Sequence, residues 1–136
     1  MSFENVDASG LMTYSPDRQL LFVAGKKGKI NLFDIRQRQL LDSFYVNDHG
    51  IKGLIAVDET DHLFSYSSRG EVYMIQLSEL SNGNAKSQLI ASHDAMNDKP
   101  TLGLQKNYGM FYKDGVIYTS HDGTFMSVFA TMESDG

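Results

Sequence analysis

Three stretches of this chain align on one another without a gap, and each carries a glycine at the same place. Leu20–Ile35, His62–Leu77 and Gly115–Ala130 all read as a strand, a small residue (Gly25, Ser67, Ser120), a two-residue polar tip, a glycine (Gly28, Gly70, Gly123) and a second strand. Glycine reaches the positive φ that the tip of a tight hairpin needs, so its recurrence marks three hairpins of one design. The glycines are 42 positions apart from 28 to 70 and 53 apart from 70 to 123. The excess of 11 (53 minus 42) matches in size the Ser/Asn/Gly-rich segment that begins at Ser81, where nothing would repay the entropy of ordering. A chain that repeats one supersecondary unit stacks its copies to bury a shared core.

No stretch keeps a 3.6-residue apolar period over ten or more positions. Short runs rich in Phe, Tyr, Ile and Val are instead cut by Gly, Asp, Asn and Ser at intervals of about eight to twelve residues, the rhythm of an all-β sandwich, barrel or propeller. Strands are expected at Leu11–Tyr14, Leu20–Ala24, Lys29–Asp34, Leu40–Tyr45, Ile51–Val57, Leu63–Tyr66, Glu71–Leu77, Gly109–Tyr112, Val116–Ser120 and Thr124–Ala130. The second strand of each hairpin is apolar on both faces: Ile30 and Leu32 back Phe33 and Ile35, and Val72 and Met74 back Tyr73 and Ile75. A strand covered on one side only would alternate with polar residues, so these strands have neighbours on both faces. A repeat of about 42 residues is the length of one four-stranded propeller blade.

The expected fold is therefore all-β, a row of about three four-stranded propeller blades within residues 1–136. The first blade covers about 9–45, the second about 46–80, an insertion loop about 81–88 and the third about 89–130. Propellers close with four to eight blades, and three would leave two apolar faces uncovered. The chain is then either the last part of a larger propeller or a fragment completed by self-association.

Composition narrows the function further. The 41% hydrophobic and 21% charged residues are ordinary for a globular domain. With no cysteine, disulfides, thiolate metal sites and cysteine nucleophiles are excluded together. Seventeen acidic residues against twelve basic ones, a net charge of −5, argue against nucleic acid as the main partner. The longest apolar stretch, Leu20–Ala24, is far short of the roughly 20 residues that span a bilayer, and the acidic N-terminal residues lack the form of a signal peptide. An intracellular interaction module is the expected class.

The run Ser15-Pro16-Asp17-Arg18-Gln19-Leu20-Leu21, continuing to Gly28 and Ile30-Asn31-Leu32-Phe33-Asp34, closely resembles the WD-repeat consensus. Proline presets φ for the turn before the strand, and Asp closes it through the backbone. The consensus Trp position holds Phe33, Ile75 and Val128, and the Asp after it survives only as Asp34. The family's loop histidine falls at Asn47, and its tip Asp is replaced by Lys26, Ser68 and His121. The hydrogen-bonded network of well-conforming repeats is thus expected to be missing, leaving blades that rely on apolar packing. A narrower likeness lies in Gly28–Leu40, above all Phe33-Asp34-Ile35-Arg36-Gln37-Arg38-Gln39-Leu40, in His49-Gly50-Ile51-Lys52-Gly53-Leu54, and in His121-Asp122-Gly123-Thr124. These resemble the C-terminal repeats of DmX-like (rabconnectin) proteins. That resemblance implies a large cytoplasmic scaffold, peripheral on vesicle or endosomal membranes, that promotes assembly of the vacuolar proton pump (V-ATPase) and vesicle acidification. Other WD-repeat assemblies, in trafficking, cilia or ubiquitin ligation, are the alternative, and a propeller enzyme a remoter one.

Candidate chemistry is sparse. His49, His62, His93 and His121 each adjoin an aspartate, but neighbours along a strand point to opposite faces, so such doublets do not make a site. No His-x-His or His-Glu-x-x-His spacing exists. Ser92-His93-Asp94 is no triad, because triad members meet in space and not in sequence. Gly25-Lys26-Lys27-Gly28 lacks the Ser/Thr and the helix of a phosphate loop. Arg36 and Arg38 read as a charged turn that discourages edge pairing. Tyr66, Tyr73, Tyr112 and Tyr118 are expected between blades with their hydroxyls at the rim. No catalytic, cofactor-binding or metal-binding residue is therefore nominated, and no enzyme activity is expected. The partner-binding face is placed on the hairpin tips and inter-blade loops, at Lys26, Lys27, Asn47, Asp48, His49, Ser68, Arg69, His93, His121 and Asp122. Lys26, Lys27 and Arg69 would form a basic patch suited to an acidic protein surface. Expected partners are other proteins, pump subunits or assembly factors among them, with no nucleic acid and no membrane insertion.

Overall fold

A computed structural model describes Ala8 and residues 10–82, 86–93, 108–121 and 124–129. Three separate antiparallel sheets follow one another along the chain. The first contains β1 (Met12–Ser15), β2 (Leu20–Ala24), β3 (Lys29–Asp34) and β4 (Gln39–Tyr45), in that order. The second contains β5 (Ile51–Val57), β6 (His62–Ser67), β7 (Glu71–Gln76) and β8 (Gln88–Ser92), again in order. The third contains β9 (Tyr108–Lys113), β10 (Val116–His121) and β11 (Thr124–Phe129). The leading strands sit side by side, β1 next to β5 and β5 next to β9, so the sheets fan out from one edge as propeller blades do. Ten of the eleven strands lie within one residue of where the sequence pattern puts them.

The eleventh is a correction. The sequence pattern divides Gln88–Ser92 between the insertion loop and the opening of the third blade, but the segment pairs with β7 as the outer strand of the second sheet. The loop is correspondingly shorter, and a 3-10 turn over Leu77–Asn82 fills part of it. Leu89 stays half-exposed on this outer edge, and so little apolar burial marks the strand in the sequence.

Alternation of side chains turns one face of each sheet to the sheet before it and the other to the sheet after it. Phe22, Ala24, Ile30 and Leu32 of the first sheet meet Ile51, Leu54, Leu63 and Ile75 of the second in one core. Phe64, Tyr66 and Val72 of the second meet Ile117 and Met126 of the third in another. The second sheet is therefore apolar on both faces because both are covered, as its sequence required.

The ungapped alignment fails by one residue in the third hairpin. Four residues separate the paired Ser120 and Phe125, whereas five separate Tyr66 from Val72 and Ala24 from Ile30. The third tip is one residue shorter, and β10 is displaced by one position relative to Gly123. Because side chains alternate, this exchanges its faces: Ile117 and Thr119, not Val116 and Tyr118, occupy the places of Leu63 and Ser65. Tyr118 consequently lies on the outward face, stacked on Phe125, and not between sheets as expected.

Candidate functional site

Among the described residues, the first two hairpin tips and the loop between the first and second sheets gather on one side, fastened backbone to backbone. At the first tip, the Gly25 N–H donates to the Lys29 carbonyl at 2.7 Å, and Lys27 and Gly28 take φ of +55° and +83°. The Gly28 carbonyl accepts from the Val46 N–H at 2.9 Å, which brings the loop after β4 onto this tip. Contact is so close that a Cβ on Gly28 would overlap the carbonyl and side-chain oxygens of Asn47. At the second tip, the Ser68 N–H donates to the Gly50 carbonyl at 2.7 Å. The Gly70 carbonyl in turn accepts from the His93 N–H at 2.8 Å. Tip, loop and neighbouring tip thus alternate along one seam.

Side chains on this face divide into exposed and internal sets. Lys26, Lys27, Asp48 and Arg69 are exposed, while Asn47, His49 and Ser68 are half-buried. Asn47 Oδ1 accepts from the His49 N–H at 2.9 Å and sets the loop. His49 Nε2 lies 3.0 Å from Asp48 Oδ1 and 3.2 Å from Arg69 Nη1. As a bare nitrogen it accepts from the guanidinium; as an N–H it donates to the carboxylate. It serves one partner at a time, according to which ring nitrogen carries the hydrogen, and so ties the loop before the second sheet to the tip of that sheet. Ser67 Oγ organises the same tip by accepting from the N–H groups of Arg69 and Glu71 at 3.1 and 3.2 Å. Glu71 also accepts from the Tyr73 hydroxyl at 2.9 Å, and burial together with this bond raises the phenol to about 12.

His93 does not belong to the exposed face. It is only 2% exposed, because it lies between the second and third sheets with Nε2 2.9 Å from Thr119 Oγ1. Beside it, the Tyr66 hydroxyl donates to the Ser120 carbonyl at 2.8 Å. The expected loss of polar networking is therefore incomplete: one histidine–hydroxyl link bridges successive sheets. His121 closes β10 opposite Thr124, and Asp122 lies outside the described residues.

On the opposite edge stands an ion-pair cluster that the sequence reading did not find. Arg18, in the turn after β1, pairs with Asp58 at 3.0 Å and with Asp61, both from the turn after β5. Asp58 also accepts from Ser15 Oγ at 2.5 Å and from the Asp17 N–H at 3.1 Å. Near it, Tyr112 of the third sheet donates to Glu59 at 2.5 Å. A cleft of about 580 Å³ adjoins this edge, walled by Leu20, Leu32, Leu41, Leu77 and Leu80 with Arg18 and Asp42 at its rim. Among the described residues no group of three or more His, Asp or Glu converges as a metal site would require.

Fanned antiparallel sheets with linked tips define a partial β-propeller. No family model matches the chain. Over 72 residues, 52% of its length, it is 38% identical to DmX-like protein 1 of Mus musculus, and over 69 residues 36% identical to that of Homo sapiens. These matches cover 2% of either relative, so the chain spans a small part of their length. Among solved structures it resembles Sqt1 of Saccharomyces cerevisiae, with a TM-score of 0.58 at 18% identity over 87% of this chain and 29% of that one. It also resembles the computationally designed Ika4 protein, with a TM-score of 0.55 at 16% identity over 96% of both chains. Identities this low speak for the fold alone.

Proposed function

We propose that the chain is a non-catalytic protein–protein interaction scaffold, and that it contributes to vacuolar proton-pump assembly as its likeness to DmX-like proteins implies. The carrying observation is the backbone-to-backbone fastening of tips and loops. It holds Lys26, Lys27, Asp48 and Arg69 outward on a frame of packed sheets, which lowers the ordering cost of docking a partner. Three cations against one carboxylate among these four favour an acidic protein surface, even though the whole chain is acidic. In this reading the protein works in the cytoplasm at the surface of vesicles or endosomes.

Affinity purification with the chain as bait tests both levels. Proton-pump subunits or their assembly factors co-elute with the native chain and are lost on simultaneous Lys26→Glu, Lys27→Glu and Arg69→Glu substitution. Partners unaffected by the triple reversal would remove the tip face from the proposal. Partners that do not include pump components would remove the pump.

A further inference from the structure

The outward face of the third sheet uses positions that form an inter-sheet core everywhere else in the chain. Toward its successor the first sheet turns Phe22 and Ile30, the second Phe64 and Val72, and the third Tyr118 and Phe125. The first four are fully buried, whereas Phe125 is 65% exposed. Phe111, the counterpart of Ile55, is 59% exposed. Tyr118 bridges the two, its ring centre 6.3 Å from that of Phe111 and 6.0 Å from that of Phe125. A three-ring ladder in water is half of a packed junction. At the other end of the molecule, the first sheet turns outward Met12 (59% exposed) and Tyr14 (42%), around the buried Val23 and Phe33. Met12 and Tyr14 stand where Leu54 and Ala56 of the second sheet, and Met110 and Tyr112 of the third, pack into the two seams.

We infer that these two faces dock on each other between two copies of this chain, the third sheet of each copy on the first sheet of the other, closing a ring of six sheets. The chain carries its own template for the contact. Both internal seams join a successor-facing surface to a predecessor-facing one, and one surface of each kind is left over at opposite ends. Head-to-tail contacts of this sort either close into a ring or run on into fibres. Two copies supply six sheets, within the four to eight that close, and three copies would supply nine. The inference does not depend on the scaffold reading or on the identity of any partner.

Light scattering on the purified 136-residue chain at micromolar concentration reads the assembly directly, with an expected mass of twice 15.2 kDa. Phe125→Glu and Met12→Glu each weaken dimerisation at least tenfold, and unchanged circular dichroism shows that the sheets persist. Mixing the two variants recovers a two-copy species that neither forms alone, because one junction of each mixed pair is intact. Any native mass other than twice that of one chain overturns the inference, including the single-chain mass expected if these faces are kept for sheets of a longer polypeptide. So does a dimer that survives both substitutions, or one lost with Phe125→Glu but not with Met12→Glu, which would mean face-to-face pairing.

Discussion

Between the first and second sheets the polar lock is ionic and sits at the edge: Arg18 grips Asp58 and Asp61, with all three side chains partly open to water. Between the second and third sheets an edge bond from Tyr112 to Glu59 is joined by a histidine–hydroxyl contact that sits inside, His93 on Thr119 with the Tyr66 hydroxyl on a backbone carbonyl beside it. The apolar side chains of both seams occupy the same repeat positions. Packing therefore sets the common spacing of the sheets, while each seam has its own polar fastening. An edge ion pair is screened by salt and contributes little, whereas a buried polar pair is costly chiefly when one member is removed.

The largest effects should come from what the seams share. Phe22→Ala and Phe64→Ala each remove a fully buried ring, and each should cost about 3–5 kcal/mol in urea denaturation. Unequal losses would mean that one seam is packed less well than the other. Next comes the internal lock. Thr119→Val keeps the shape but removes the hydroxyl that meets His93 Nε2, at a cost of about 1–3 kcal/mol, and pairing it with His93→Leu should recover part of the loss. Thermodynamic additivity in that double-mutant cycle would show that the contact carries no coupling. At the edge, Arg18→Gln should cost no more than about 1 kcal/mol in dilute buffer and almost nothing in molar salt. A salt-independent cost would assign Arg18 a packing role instead. The smallest effect is one of pH.

That effect belongs to His62, whose pKa is lowered by burial and only partly restored by the charge of Asp61; its Nδ1 finds no partner among the described residues. With a folded-state pKa below the ordinary 6.5, the unfolded chain takes up the proton first as pH falls. The neutral ring's contribution to stability is thus present above about 6.5 and declines as pH drops from there toward the lowered value. His62→Gln should flatten this part of the stability–pH curve, and a profile unchanged by the substitution would assign it to another group.

Strand positions were legible because each hairpin encodes them locally: apolar runs, polar tips and a glycine suffice for ten strands of eleven. Gln88–Ser92 escaped because Leu89 and Ile90 are its only bulky apolar residues and it adjoins the Ser/Asn/Gly-rich segment, whereas the equally outer β4 carries Leu40, Leu41, Phe44 and Tyr45. The placement of Lys26, Lys27, Asp48 and Arg69 on exposed turns was legible from the polar tips and loops that carry them. His93 was not, since the same histidine is solvated or buried according to whether a hydroxyl awaits it on another sheet, 26 positions away. Nor could the Arg18 cluster be read, because its partners lie 40 and 43 positions off and no local pattern links them.

The shortened third tip carries a lesson for anyone tracing diverged repeats. Gly123 keeps its place in the string of letters while β10 has moved by one in space, so a marker residue and a structural address are different things. Loss of a single tip residue leaves the strand's length and its partners untouched but turns the strand over about its own axis. What was outside becomes inside, and substitutions must then be weighed against the new surroundings. Molecules of this architecture can therefore change the dressing of an entire blade surface through one small deletion at its least constrained point, without altering a side chain within the strand.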